Sequence, residues 1–249
     1  NRGSTDSQHA GANAVATTPT RQPLPTTPLV RRMRPKHLAM ALSKLIPHPC
    51  ADVTLEQYAT EGDLAAYWML AVDQLDGMEG RRVVDLGAGN GVLGVAALLL
   101  GAANVLFVET DTDAAEVLQR NIDGLDAEIA RRATVVNARI GADEVDLDRT
   151  EIIVMNPPWG VQKAKADRPF LDLAFASDAE AVHVLHSDRA AHLEPLANEA
   201  GWDAETVLRT TFRLPPLYAH HGQRRGATDV KCWRFFRPGD ARLTPENDE

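Results

Sequence analysis

The 249-residue chain is 44% apolar and 24% charged, a balance that suits one α/β domain of ordinary size with short appendages. No run of about 18 apolar residues occurs, no apolar stretch follows Arg2 and Asp6, and Cys50 and Cys232 sit outside any CxxC or histidine spacing. A membrane-spanning helix, a signal peptide and a structural zinc site are therefore set aside, and a reduced, cytoplasmic protein without a metal is expected. The net charge of −9 is uneven: residues 1–51 and 206–237 carry +6 each, residues 52–205 carry −18 and the end from 238 carries −3.

Residues 1–32 are rich in Ser, Thr, Pro, Ala and Gln without a hydrophobic period, and read as a disordered leader or linker. From Met33 the pattern changes. Leu38, Met40, Leu42, Leu45 and Ile46 fit a short amphipathic helix closed by Pro47 and Pro49, and Leu64 to Leu75 fits a second. Strands and helices then alternate. Strands are predicted at Arg82–Leu86, Asn104–Val108, Ala133–Ile140, Glu151–Met155 and Ala181–Leu185, and helices at Val92–Leu100, Asp113–Ile122, Phe170–Ala176 and Ala190–Ala200. Two last strands, Thr206–Leu214 and Thr228–Phe236, flank a loop, and residues 238–249 read as a flexible acidic tail. Alternation of this kind implies a mainly parallel sheet with helices on both faces, whose ligands bind beyond the carboxyl ends of the strands.

The first such end is Val83-Val84-Asp85-Leu86-Gly87-Ala88-Gly89-Asn90-Gly91, a strand entering a tight glycine turn. Glycines there permit positive φ and let a ligand approach bare backbone. Glu109, 20 residues after Gly89, ends the next strand, where a carboxylate can accept both hydroxyls of a ribose. Gly89 to Gly94 also fits the dinucleotide GxGxxG, so NAD or FAD stays open. Asp85 favours S-adenosylmethionine instead: a carboxylate suits that cofactor's ammonium and would repel a pyrophosphate. A helix-capping or turn role is the plainer alternative for Asp85.

The second end is Asn156-Pro157-Pro158-Trp159, directly after the strand Ile152–Met155. Two prolines fix φ, remove donors and stiffen the loop. The Asn156 side-chain oxygen and the Pro157 carbonyl can each accept an N–H of one planar amine. They thereby hold the amine and favour a nucleophilic, tetrahedral nitrogen. Trp159 offers a stacking face for an extruded base. Methyl transfer by positioning needs neither a metal nor a general base.

Taken together, Leu55-Glu56-Gln57-Tyr58-Ala59-Thr60, the loop at 85–94, Met155 to Gly160, Asp167 to Leu171, Leu185-His186 and the stretch from Leu214 to His221 resemble a known family. This is the methyltransferase-like family that makes N6-methyladenosine in small-subunit ribosomal RNA, in particular its archaeal members. The resemblance runs from Met33 to about Phe236 and implies a class I S-adenosylmethionine-dependent, Rossmann-like domain over 33–237. It implies that Gln57, Thr60, Asp85, Gly87, Gly89, Glu109 and Asn156 bind the cofactor, and that Asn156, Pro157, Pro158 and Trp159 hold the adenine. It also implies a small zinc-ribbon activator protein that extends the sheet, for which Val105 to Val108 would be an apolar edge. The chain departs from the family at Trp159, where phenylalanine is usual, and at Ala59, where proline is usual. Arg139, with Asn137 and Ala138 beside it, stands where an aspartate meets the cofactor adenine.

His183 and His186 stand three apart on a strand, point to opposite faces and read as structural histidines rather than a ligand pair. His221, Arg224 and Arg225 form a basic loop suited to RNA phosphates, or an ordinary solvated face. A glutamine side chain in a protein, a DNA adenine, and a non-catalytic RNA-binding module with a retained cofactor pocket remain the alternatives to an RNA adenine.

Overall fold

The central strands are apolar on both faces, the pattern of strands covered by helices on two sides. In the computed structural model, which describes residues 33–49, 60–160, 164–213 and 227–243, β1 (Arg82–Leu86) buries all but its first residue. β4 (Ile152–Met155) is buried throughout and β5 (Ala181–Ser187) up to its last residue. β2 (Asn104–Glu109) and β3 (Ala133–Asn137) continue the parallel set, and β6 (Asp203–Arg213) and β7 (Ala227–Phe236) close the chain as an antiparallel pair. The seven strands lie in the order β3-β2-β1-β4-β5-β7-β6.

Seven helices are described: α1 (Pro35–Leu42), α2 (Gly62–Asp76), α3 (Val92–Leu99), α4 (Thr112–Asp123), the short α5 (Ala127–Ala130), α6 (Arg168–Ala176) and α7 (Leu193–Glu199). Leu38, Trp68, Val95 and Leu118 join a core with Val83, Phe107 and Val154 on one face of the sheet. Leu171, Phe175, Leu193 and Ala197 join Val84, Met155, Val182 and Trp202 on the other. None of the described helices is long and apolar enough to cross a membrane.

Two expectations are corrected. Val105–Val108 is not an edge: β2 pairs in parallel with β1 on one side and β3 on the other, so the described edges are β3 and β6. The reason is non-local, because an apolar run fixes burial but not which strands flank it. Residues 238–243, expected with the flexible tail, are anchored. Arg234 donates to the Asp240 carbonyl (2.9 Å) and Oδ2 (3.0 Å), and the N–H groups of Arg242 and Leu243 donate to Glu205 Oε2 (3.2 and 3.0 Å).

The elements differ at their ends from the sequence reading. α1 stops at Leu42, leaving Leu45 and Ile46 beyond it, and β3 stops at Asn137, leaving Ile140 in an isolated bridge to Asp143. The leader 1–32, Gln57 with its Leu55–Ala59 neighbours, and His221, Arg224 and Arg225 lie outside the described residues.

Strand order reverses direction between β1 and β4, which makes their carboxyl ends the crevice of the sheet. Leu86 pairs with Met155 on one side and with Val108 on the other. Gly87, Asn156 and Glu109 therefore leave three neighbouring strands at one level.

Candidate active site

The glycine loop is drawn tight by backbone bonds, with the N–H groups of Gly87 and Ala88 both donating to the Val108 carbonyl at 2.9 Å. Gly89 takes φ +56°, and a Cβ there would stand 2.8 Å from His48 Cδ2, so glycine is needed both for the turn and for the close approach. Gly94 serves packing: a Cβ would lie 2.1 Å from Phe107 Cε1, so α3 can rest on β2 only without a side chain at that point.

Two buried carboxylates flank the loop. Asp85 Oδ2 accepts from the Gly94 N–H at 2.8 Å, so one oxygen fastens the first turn of α3. Burial pushes the Asp85 carboxyl up to about 7, with the nearby Glu109 charge adding to the effect. Glu109 accepts from Gly89 N–H at 2.7 Å through Oε2, and from Thr110 and Asp111 N–H at 2.8 Å through Oε1. Burial raises its pKa as well, despite those three bonds. Among the described residues, no Lys, Arg or His accounts for the shift of either group. Such a buried pair of carboxyl groups is held as the anions by a ligand carrying positive charge and opposes a pyrophosphate, so the residues present fit S-adenosylmethionine, with its ammonium and sulfonium.

On the other side of the crevice Asn156 follows β4 and Pro157 is buried. Asn156 Nδ2 donates to Thr60 Oγ1 at 3.1 Å, and Oδ1 accepts from the Trp159 indole N–H at 3.1 Å. Thr60 is itself buried, just before α2. The two bonds fix the amide with its oxygen toward the aromatic ring. Trp159 stacks on His186, with ring centroids 5.9 Å apart and planes at 27°. Beyond the third strand, Asn137 donates to the Glu109 carbonyl at 3.0 Å, Ala138 is buried and Arg139 is exposed.

Several residues at the site were not legible from the sequence. Asn121 of α4 is buried, accepts from the Ile46 N–H (2.7 Å) and donates to the carbonyls of Ile46 (3.1 Å) and Asn90 (2.9 Å). It ties the segment after α1 to the glycine loop, and Asn90 Nδ2 adds a bond to the Ile46 carbonyl at 3.0 Å. Its one signal was an asparagine in the apolar stripe of Val117, Leu118 and Ile122. Asp167 and His192 also join His186, although nothing in their spacing announces it. The three offer ligand atoms within 4.8 Å of one another. The Ser187 N–H donates to His186 Nδ1 at 2.9 Å, however, which leaves the proton of a neutral ring on Nε2. A metal would need that lone pair, so the trio is a carboxylate–imidazole cluster. His183 does point the other way, toward Asp76 at 2.7 Å.

The sheet order, the glycine loop and the acid at the end of β2 define a class I S-adenosylmethionine-dependent methyltransferase fold. PH1948 of Pyrococcus horikoshii, a proposed RNA methyltransferase, is similar in structure, with a TM-score of 0.72 at 34% identity over 84% of this chain and 99% of its own. The rRNA N(6)-adenosine-methyltransferase metl-5 of Caenorhabditis elegans is 33% identical over 187 residues, 72% of this chain and 85% of the worm protein. The uncharacterised MJ0284 of Methanocaldococcus jannaschii is 28% identical over 215 residues, 83% and 96% of the two chains. Residues 62–188 match the methyltransferase small domain, and the chain belongs to that family.

Proposed function

We propose that the protein methylates N6 of an adenosine in RNA, with small-subunit ribosomal RNA as its substrate class. One observation carries the reading. Thr60 holds the Asn156 amide so that Oδ1 faces the edge of an aromatic ring, and that oxygen already accepts the N–H of a heterocycle, the Trp159 indole. An adenine amine presents the same donor beside the same kind of ring.

S-adenosylmethionine supplies the methyl group, carried on a sulfonium. Asp85, Gly87, Gly89, Glu109, Thr60 and Asn156 hold it in this reading, with Gln57 added by resemblance. Asn156 Oδ1 and the Pro157 carbonyl each accept a hydrogen bond from one amine N–H and draw the nitrogen lone pair out of conjugation. Trp159 stacks on the base, a contact worth roughly 1–3 kcal/mol. His221, Arg224 and Arg225 grip phosphates near the target. A zinc-ribbon activator would extend the sheet; with β2 enclosed, β3 is the parallel strand at an edge among the described residues.

The relatives support RNA as the substrate class, since metl-5 is an rRNA enzyme and PH1948 a proposed RNA methyltransferase. Mass spectrometry of ribosomal RNA nucleosides from cells with and without the gene tests the reading. Loss of one N6-methyladenosine is expected on deletion. An unchanged nucleoside profile, with a methylglutamine lost from a protein instead, overturns it.

A further inference from the structure

The carboxylate–imidazole cluster beside Trp159 has no part in the roles assigned above. His186, 2% exposed, lies near the carboxyl end of β5, and Asp167, 3% exposed, leads into α6. The Ser187 N–H on Nδ1 prevents the His186 ring from flipping without losing a part-buried bond. Its Nε2 faces Asp167 Oδ2 at 3.2 Å, off the line of a hydrogen bond. The same Asp167 oxygen takes His192 Nε2 at 2.5 Å. On its flat side His186 carries the Trp159 indole, and that indole reaches Asn156.

An apolar residue would fill the space behind Trp159 without leaving a buried nitrogen poorly met. An aliphatic side chain would also give the indole no flat ring to stack on. A ring pinned at one nitrogen by backbone and faced at the other by a carboxylate has a single orientation, and the plane stacked on it inherits that orientation.

We propose that His186, backed by Asp167, is a positioning residue of the acceptor site that fixes the plane and depth of Trp159 relative to Asn156 Oδ1. This rests on Asn156 being the amine acceptor. Asp167 joins α6 to the cluster, and His192 brings the start of α7, so three elements converge on one indole.

The test uses the full chain with His186→Ala, His186→Phe and Asp167→Asn. Nitrogen-edited NMR of the indole N–H of Trp159, assigned by its absence in Trp159→Phe, reads the position of the ring without any substrate. Steady-state kinetics on a small-subunit rRNA fragment and calorimetry with S-adenosylmethionine read its consequence. In His186→Ala the indole signal is expected to shift or broaden, and the KM for RNA to rise about threefold to tenfold, the range an aromatic stack contributes. The kcat and the cofactor Kd are expected to change less than about twofold, since neither rests on ground-state base binding. His186→Phe keeps a flat ring and is expected to recover most of the KM, while Asp167→Asn shifts the indole signal less. An indole signal unmoved in His186→Ala overturns the proposal. So does a loss of cofactor affinity as large as the rise in KM, which would make His186 a support of the fold alone. If the wild type does not methylate RNA, a moved indole signal upholds the positioning role while the adenosine reading fails.

Discussion

The indole N–H of Trp159 donates to Oδ1 of Asn156 at 3.1 Å, which places a side chain of the protein on the oxygen that the substrate amine requires. That oxygen has two lone pairs, so the base amine competes with the indole N–H for its best geometry. Trp159→Phe keeps a stacking ring and removes the competing donor. It is expected to lower the KM for RNA about two- to tenfold, the worth of one net hydrogen bond. Trp159→Ala loses the stack as well and is expected to lower kcat/KM roughly 5- to 150-fold. A rise in KM in Trp159→Phe would show that the indole N–H acts in the bound state instead.

Asp85 gives the protein a definite pH dependence. Its carboxyl is pushed up to about 7, above its ordinary value, so the folded state prefers the neutral form. As pH rises from the ordinary carboxylate range toward 7, the unfolded chain has already lost the proton and the folded chain has not; stability falls over that window and levels above it. A cofactor ammonium favours the charged form, so S-adenosylmethionine affinity is expected to rise with pH, by up to about tenfold per unit, until about 7. Asp85→Asn is expected to bind more weakly and with a flat profile. Calorimetry between pH 5.5 and about 8.5 distinguishes the two slopes.

Asn121 is expected to matter for the cofactor although it lies on a helix behind the loop. Asn121→Ala leaves the Ile46 N–H and the Asn90 carbonyl short of a partner and takes one of two donors from the Ile46 carbonyl, a cost of about 1–3 kcal/mol. The segment carrying Ile46 and His48 then loosens from Gly89. The measurement is the Kd for S-adenosylmethionine at constant folded fraction. An unchanged Kd would confine Asn121 to stability.

Far from the crevice, Arg234 holds a buried charge cluster together. It donates to Asp76 Oδ1 at 2.7 Å and to Glu205 Oε1 at 2.9 Å, and is fully buried. Burial alone would raise the Asp76 carboxyl, but hydrogen bonds from His183 and Arg234 outweigh it and hold it well below the usual range. Burial lowers the His183 pKa, which keeps that ring neutral with Nε2 donating. Arg234→Ala takes the buried guanidinium from Asp76, leaving it His183, and is expected to cost about 3–5 kcal/mol. Adding Asp76→Ala should cost less than the sum of the two single changes. Because the folded pKa of Asp76 is depressed, its contribution is present above the ordinary carboxylate pKa and is lost as pH falls below it. Chemical denaturation at pH 7 and pH 3 reads both effects.

The sequence made the alternation of strands and helices legible, because each run is short, apolar and stopped by glycine, proline or aspartate. The loop at 85–94 and the Asn156-Pro157-Pro158-Trp159 segment were legible for the same reason: their chemistry lies in consecutive residues. The position of β2 was not, since Val105–Val108 would be equally apolar at an edge or between β1 and β3. Asp167, His186 and His192 meet only because α6, β5 and α7 converge. Asp85 shows the limit within a motif: its type and place were evident, but not that Gly94 N–H already holds one of its oxygens. Asp240 to Leu243 belong to an acidic, proline-containing end, yet Arg234 and Glu205 fasten them.

The most direct test of the central claim is the product itself. Wild-type protein and Asn156→Ala are incubated with methyl-labelled S-adenosylmethionine and small-subunit ribosomal RNA, and the digested nucleosides are identified by mass spectrometry. The expected result is label in N6-methyladenosine alone with the wild type, and a rate at least about 100-fold lower with Asn156→Ala at saturating cofactor. Label on any other nucleoside, or full activity in Asn156→Ala, would contradict the assignment of Asn156 as the acceptor of an adenine amine.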